Sequence, residues 1–78
     1  MSRHEQVSPE RLVEAAEAAL MAAAEVAELG GGDWPYPADL MGHPDQPACL
    51  CPFTRWEIEQ ACEFLVRMGM LEPRRSAR

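Results

Sequence analysis

Residues 8–32 read SPERLVEAAEAALMAAAEVAELGGG, and this stretch predicts the longest helix of the chain. Ser8 suits the N-cap position, and Pro9 suits the first helical position, where its missing N–H costs nothing. No further Pro and no Gly occurs before Gly30, where three glycines predict the end of the helix. Gly30, the first of the three, suits a left-handed C-terminal cap. We therefore expect a helix over residues 8–29.

This helix has two contrasting faces, because residues three and four positions apart share a side. The apolar stripe is mostly alanine, so another helix can pack close to it, and it consists of Leu12, Ala16, Ala19, Leu20, Ala23, Val26 and Ala27. The opposite side carries a row of glutamates with a methionine in its one gap: Glu10, Glu14, Glu17, Met21, Glu25 and Glu28.

The glutamate row has two interpretations. Charged rows on surface helices are commonly only solvated faces. The alternative is an acidic ridge that meets a basic groove or imitates phosphates, with Met21 at its centre. Like charges at four-residue spacing cost the helix a few tenths of a kcal/mol each, so the row does not serve helix stability.

A second well-specified helix is predicted at residues 54–68. Thr54 and Glu57 form the pattern of a capping box, and Gly69 supplies the stop. The expected apolar face consists of Ile58, Ala61, Cys62 and Leu65 with Val66 and Met68 to one side. The residues expected mainly outside it are Glu57, Glu59, Gln60, Glu63 and Arg67. Glu59 and Glu63 make this outer face a second candidate for partner binding.

Between the two helices the chain is rich in Pro and Gly, but Pro37 to Met41 predict a short helix of one to two turns over residues 37–41. Trp34 and Tyr36 are expected to cover the core, since each aromatic is a large share of the burial available to so small a chain. After Gly69, the letters MLEP indicate a short extended segment.

The predicted organisation is an all-α fold with one helical domain at residues 8–73. Residues 1–7 are expected to be a loose lead and residues 74–78 a basic disordered tail. A domain of this size has little net stability from its core alone, so a homodimer or an obligate partner is an open alternative.

Charge and composition bound the function. The 78 residues carry 13 acids, 7 arginines and no lysine, a formal net charge of −6, which opposes DNA and favours a basic partner. The N-terminus lacks the apolar segment of a signal peptide, and glutamates interrupt the alanine-rich stretch before it reaches a membrane span. We therefore expect a cytoplasmic protein with reduced thiols and no membrane segment.

The stretch HPDQPACLC, residues 43–51, raises the question of a metal site. A zinc set would consist of His43, Cys49, Cys51 and Cys62. Cys-x-Cys is tighter than the usual zinc spacing, and Cys62 falls on an apolar helix face, so zinc is the minority hypothesis. The pair also lacks Cys-x-x-Cys redox spacing. No catalytic set or phosphate loop is evident, so we expect no enzyme activity and no cofactor.

Residues 34–73 contain YPADLMG, a connection and FTRWEIEQACEFLVRMGMLEP, and this pattern resembles the second and third helices of a winged helix-turn-helix domain with the strand that follows. The resemblance implies that helix 8–29 supports a trihelical core. The connection from Gly42 to Pro52 is longer than the usual turn, and the chain stops where the wing is built, so the wing is expected to be absent or vestigial.

Two functions follow as alternatives. In the first, a small acidic protein binds and inhibits or modulates a larger protein that has a basic surface, and its size and charge resemble accessory proteins of phages and mobile elements such as anti-CRISPR inhibitors. In the second, implied by the winged-helix resemblance, a transcription regulator contacts DNA through arginines, namely Arg55, Arg67, Arg74, Arg75 and Arg78. Charge favours the first, because duplex binding requires several phosphate contacts.

Overall fold

The computed structural model describes residues 7–73, and this part of the chain is all-α. Two α-helices, α1 (Pro9–Leu29) and α2 (Arg55–Arg67), are joined by a segment with two short 3-10 helices, Pro37–Leu40 and Ala48–Leu50. The helices predicted at 8–29 and 54–68 are confirmed within one residue at each end. The expected short helix at 37–41 exists as one turn of 3-10 helix, and the turn at Ala48–Leu50 is an element that the sequence pattern does not predict.

Helix α1 begins and ends at the predicted residues, but its C-terminal cap differs from the prediction. The Ser8 hydroxyl accepts a hydrogen bond from the Arg11 N–H at 3.2 Å. At the other end, the left-handed residue is Gly31 and not Gly30, since Gly30 has φ −106° and Gly31 has φ 94°. Gly32 N–H donates to the Ala27 carbonyl at 2.7 Å, the long bond of a Schellman-type end, which requires the left-handed residue one position later than expected.

Helix α2 has both of its predicted ends. Thr54 and Glu57 exchange the two hydrogen bonds of a capping box, which confirms that prediction. At the C-terminus, Gly69 adopts φ 79° and its N–H donates to Val66. Met70 N–H donates to the Leu65 carbonyl at 2.9 Å, which completes a Schellman motif. The described residues contain no strand, and residues 70–73, the expected first strand of a winged-helix pattern, form none.

The core lies where the alanine face of α1 meets α2. The buried face of α1 is wider than the predicted stripe. It consists of seven alanines, namely Ala15, Ala16, Ala18, Ala19, Ala22, Ala23 and Ala27. Small side chains allow close approach of the helices, so the larger volume comes from α2 and the connection. That volume is supplied mainly by five side chains that are at most about 2% exposed, namely Leu50, Ile58, Leu65, Pro37 and Cys62.

Leu50 explains how the long connection is held. Its side chain is fully buried in the core, at the end of the 3-10 turn Ala48–Leu50, which packs against α1. Gly42, at φ 82°, starts the connection and donates its N–H to the Gln46 side-chain oxygen at 2.7 Å. The segment is therefore a structured wall of the domain and not a free loop.

Two expectations about burial are wrong. Trp34 does not cover the core, because it is 55% exposed, whereas Tyr36 does pack against the core cluster. Met68, expected at the side of the apolar face of α2, is 59% exposed because the helix ends at Arg67 and turns away at Gly69.

The lead and tail predictions fall largely outside the described part of the chain, since residues 1–6 and 74–78 are not described. Neither α1 nor any other helix within residues 7–73 is both long and apolar enough to cross a membrane.

Candidate protein-binding surface

The glutamate row predicted on α1 lies on the face of that helix turned away from the core. Helix periodicity aligns its members along roughly 27 Å, from the first turn to the last. All six members are exposed, namely Glu10, Glu14, Glu17, Met21, Glu25 and Glu28. We call these six residues the acidic row.

The carboxylates of the acidic row have few cationic neighbours. Glu14 lies 3.6 Å from the Arg11 guanidinium, and its side chain is 62% exposed, so this pair contributes little to stability. Of the ion pairs found within residues 7–73, none involves Glu10, Glu17, Glu25 or Glu28. The row therefore presents uncompensated negative charge along one side of the molecule.

Met21 is 63% exposed at the centre of the row. It lines a shallow depression of about 350 Å³ together with Ala24, Glu25 and Glu28 of the same helix. The opposite wall is formed by Ala48 and Cys49 of the second 3-10 helix. The long connection thus adds Ala48 and Cys49 beside the acidic row. Together with Met21 and Ala24 they form an apolar depression that Glu25 and Glu28 border.

Cys49 connects the second 3-10 helix to α1 through a hydrogen bond. Its thiol donates a hydrogen bond to the Ala18 carbonyl at 3.6 Å. Burial raises the pKa of the Cys49 thiol, and the negative charge of Glu25 raises it further. The thiol therefore stays protonated at neutral pH, which suits a packing residue and does not suit a nucleophile or a metal ligand.

The outer face of α2 is a separate surface. Glu59 is paired with Arg55 at 3.6 Å, one helical turn away, and its side chain is only 28% exposed. Glu63 is exposed. Because α1 turns its alanine face to α2 and the acidic row away from it, the structure does not bring Glu59 and Glu63 together with the row.

Arg11 and Glu57 form an ion pair that the sequence pattern does not predict. Glu57, expected mainly outside the apolar face, lies half-buried at the junction of the two helices. Arg11 Nε donates to Glu57 Oε2 at 3.0 Å, and Arg11 Nη2 donates to Oε1 at 3.2 Å and to the Pro52 carbonyl at 2.7 Å. The guanidinium also stacks over the Phe53 ring, 4.2 Å from its centroid.

This pairing lowers the pKa of the Glu57 carboxyl, chiefly through the hydrogen bond from Arg11, with the Thr54 backbone N–H adding to it. The same pair raises the pKa of Arg11. The partners are 46 residues apart in the chain. The sequence shows that Arg11 is the only basic side chain of α1, but it contains no signal that selects Glu57 as its partner.

The minority zinc set is not assembled. No group of three or more His, Cys, Asp or Glu side chains able to hold a metal ion exists within residues 7–73. His43 and Cys51 are exposed, whereas Cys62 is buried in the core as an apolar filler. None of Cys49, Cys51 and Cys62, all within the described residues, forms a disulfide.

Comparison with protein-family models, with curated proteins and with solved structures finds no match to this chain.

Proposed function

We propose that this chain is a small, non-enzymatic acidic protein that binds a larger protein with a basic surface and inhibits or modulates it. The observation that carries the proposal is the acidic row of α1, in which an exposed methionine sits at the centre of five exposed carboxylates. Met21 also borders the depression that it shares with Ala48 and Cys49, so the row adjoins apolar surface that a partner can cover.

Electrostatics supports a basic protein partner. Residues 7–73 contain twelve acids and three arginines, a formal charge of −9 for the folded part. Two of these arginines, Arg11 and Arg55, are held in ion pairs with glutamates. A field of one sign speeds association with a partner of opposite sign and repels nucleic acid.

The depression beside Met21 supplies the apolar contact area that a row of charges alone does not provide. Affinity at protein interfaces is concentrated in a few desolvated side chains at the centre, with charged residues around them. Met21 with Ala24 and Ala48 provides such an apolar centre, and Glu25 and Glu28 stand at its rim. A partner side chain with an aliphatic stem and a cationic head fits both parts.

A regular line of carboxylates can also imitate the phosphates of a nucleic acid. Such mimicry is suited to an inhibitor of a nucleic-acid-binding machine, as in accessory proteins of phages and mobile elements. The order of a long helix, a short 3-10 helix and a capped helix is compatible with a helix-turn-helix-like core whose usual DNA-reading role has been replaced. Cysteines that form no disulfide within residues 7–73 fit action in the cytoplasm.

The test is a capture experiment beside a DNA assay. The purified, tagged chain is exposed to cell lysate, and captured proteins are identified by mass. A variant with Glu17→Gln and Glu25→Gln is the negative counterpart, because both residues are exposed and their loss leaves the core unchanged. We expect a stoichiometric basic partner with the original chain and a clear loss with the variant.

The alternative is a winged-helix-type DNA-binding regulator. It rests on Arg55 and Arg67, which are exposed at the two ends of α2, and on Arg74, Arg75 and Arg78, which lie outside the described residues. A mobility shift on generic duplex DNA at low salt separates the two functions. Retention of DNA that weakens as salt rises would overturn the protein-binding proposal, since phosphate contacts carry that salt dependence.

A further inference from the structure

A second surface lies beyond the end of α1. Residues 32–36 and residues 70–73, which are far apart in the chain, form the two walls of an open groove of about 820 Å³. One wall presents Asp33, Trp34 and Tyr36, and the other presents Met70, Leu71 and Glu72. None of the groove residues belongs to the acidic row, so the two surfaces are independent.

Both walls are anchored to the folded core. Tyr36 and Leu71 pack against the core cluster from opposite sides of the groove. The Schellman motif of α2 fixes the backbone at Met70, whose N–H donates to Leu65. A groove with anchored walls can bind without ordering them first, which removes part of the cost of association.

The groove exposes large apolar side chains. Trp34 and Met70 are each 55% exposed, although the chain has only two tryptophans and a small core that could use them. Tryptophan and methionine are enriched at protein interfaces, where they supply much of the contact area. Both line the same groove from different segments of the chain, so an elongated side chain lying in it can contact both.

Within residues 7–73 the groove is acidic. The exposed carboxylates of Asp33 and Glu72 line it, and no arginine or histidine of the described residues does. An exposed indole face attracts cations and stacks best on a guanidinium, which is planar and weakly hydrated. A guanidinium can also donate several hydrogen bonds to carboxylates at the rim.

We propose that this groove binds an arginine side chain carried on an extended basic segment of a partner protein. The guanidinium stacks on Trp34 and donates to the carboxylates of Asp33 and Glu72, and its aliphatic stem lies along Met70. Lysine binds less well, because its ammonium is compact, strongly hydrated and unable to stack.

The experiment uses the indole of Trp34 as its own reporter. In a Trp56→Phe variant of the full chain, Trp34 is the only tryptophan, and Trp56 lies outside the groove. Capped peptides Gly-Arg-Gly-Arg-Gly, the lysine equivalent and the glutamine equivalent are titrated at low salt while Trp34 fluorescence is followed. We expect a saturable change with the arginine peptide, a weaker affinity with lysine and no change with glutamine.

Removal of the two carboxylates at the edge of the groove tests whether they contact the guanidinium. Asp33→Asn combined with Glu72→Gln should weaken binding of the arginine peptide about fivefold, as expected for two exposed ion pairs. Glu17→Gln combined with Glu25→Gln removes the same charge from the acidic row and should leave the affinity within about twofold. Circular dichroism melts confirm that each variant is folded.

Several outcomes would overturn the proposal. Absence of saturable binding, or equal weakening by both pairs of substitutions, would show that the groove recognises no guanidinium. Binding that appears only after Arg74→Gln, Arg75→Gln and Arg78→Gln in the full chain would assign the groove to the chain's own residues 74–78. Trp34 fluorescence that changes with protein concentration in the absence of peptide would show that the groove binds a second copy of this chain.

Discussion

Arg11 joins three separate parts of the chain through one guanidinium. It pairs with Glu57 of α2, donates to the Pro52 carbonyl before that helix and stacks on Phe53. Each contact fixes the entry of α2 against the first turns of α1. The acidic row begins beside this junction, so Arg11 also sets the position of the row relative to the rest of the domain.

The first prediction concerns the pH dependence of this pair. The pKa of Glu57 is lowered in the folded protein from its ordinary value of 4.5. Its contribution is therefore present above that value and is lost as pH falls through the lower, folded-state pKa. Chemical unfolding should show the original chain more stable than Glu57→Gln at pH 7, with the difference shrinking below about pH 4.5. A difference that grows toward acid pH would contradict the assigned pair.

The second prediction concerns the three thiols. Cys51 is exposed, Cys49 is half-buried with a raised pKa, and Cys62 is fully buried. A colorimetric disulfide reagent at pH 7.5 should therefore modify one thiol per chain rapidly, and Cys51→Ser should remove that phase. Cys62 should react only with denaturant present. A rapid phase that persists in Cys51→Ser would contradict the placement of Cys49 or Cys62.

At the scale of elements, the termini of both α-helices follow from local chemistry, and this is why the sequence predicts them. Ser8 with Pro9 and the capping box of Thr54 with Glu57 act on backbone groups within one turn. The alanine face and the exposure of the acidic row also follow from periodicity. These features depend on spacing in one segment and not on distant partners.

Other features depend on contacts between residues far apart in the chain, which the periodicity of one segment does not predict. The 3-10 turn Ala48–Leu50 forms because Leu50 fills space left by the alanines of α1, and that space exists only after the helices pack. The Arg11–Glu57 pair joins residues 46 positions apart. Trp34 stays 55% exposed although Tyr36, two residues later, packs against the core cluster, and the spacing of the two aromatics does not tell which one is buried.

The third prediction tests the long connection as an element. Leu50→Ala removes a fully buried side chain and should lower the free energy of unfolding by about 2 to 5 kcal/mol. Leu29→Ala is the matched control, because Leu29 is 87% exposed at the end of α1, and it should change stability by less than about 0.5 kcal/mol. Urea titrations measure both. Equal effects would contradict the buried position of Leu50.

At the scale of the whole molecule, charge and apolar surface are segregated. The acidic row covers one side, the alanine face and α2 form the interior, and the groove of Trp34 and Met70 lies beyond the end of α1. The sequence predicts the row by spacing, but it does not predict the depression beside Met21, because one wall comes from Ala48 and Cys49.

The fourth prediction separates the apolar centre from the charges. Met21→Ala should weaken partner binding at least fivefold without lowering the free energy of unfolding, because Met21 is 63% exposed and alanine favours a helix. Val13→Ala, also exposed on α1 but outside the acidic row, should leave affinity unchanged. Calorimetric titration of the captured partner measures both variants. Equal affinity of Met21→Ala and the original chain would remove Met21 from the interface.

The central claim is that the acidic row of α1 contacts a basic protein. Its most direct test is the affinity of the captured partner for two variants that lose equal charge, Glu17→Gln with Glu25→Gln on the row, and Asp45→Asn with Glu63→Gln elsewhere. We predict that the row variant binds at least tenfold more weakly and with a smaller salt dependence, while the second variant binds as the original chain does. Unchanged affinity of the row variant, or an equal loss in both variants, would contradict the claim.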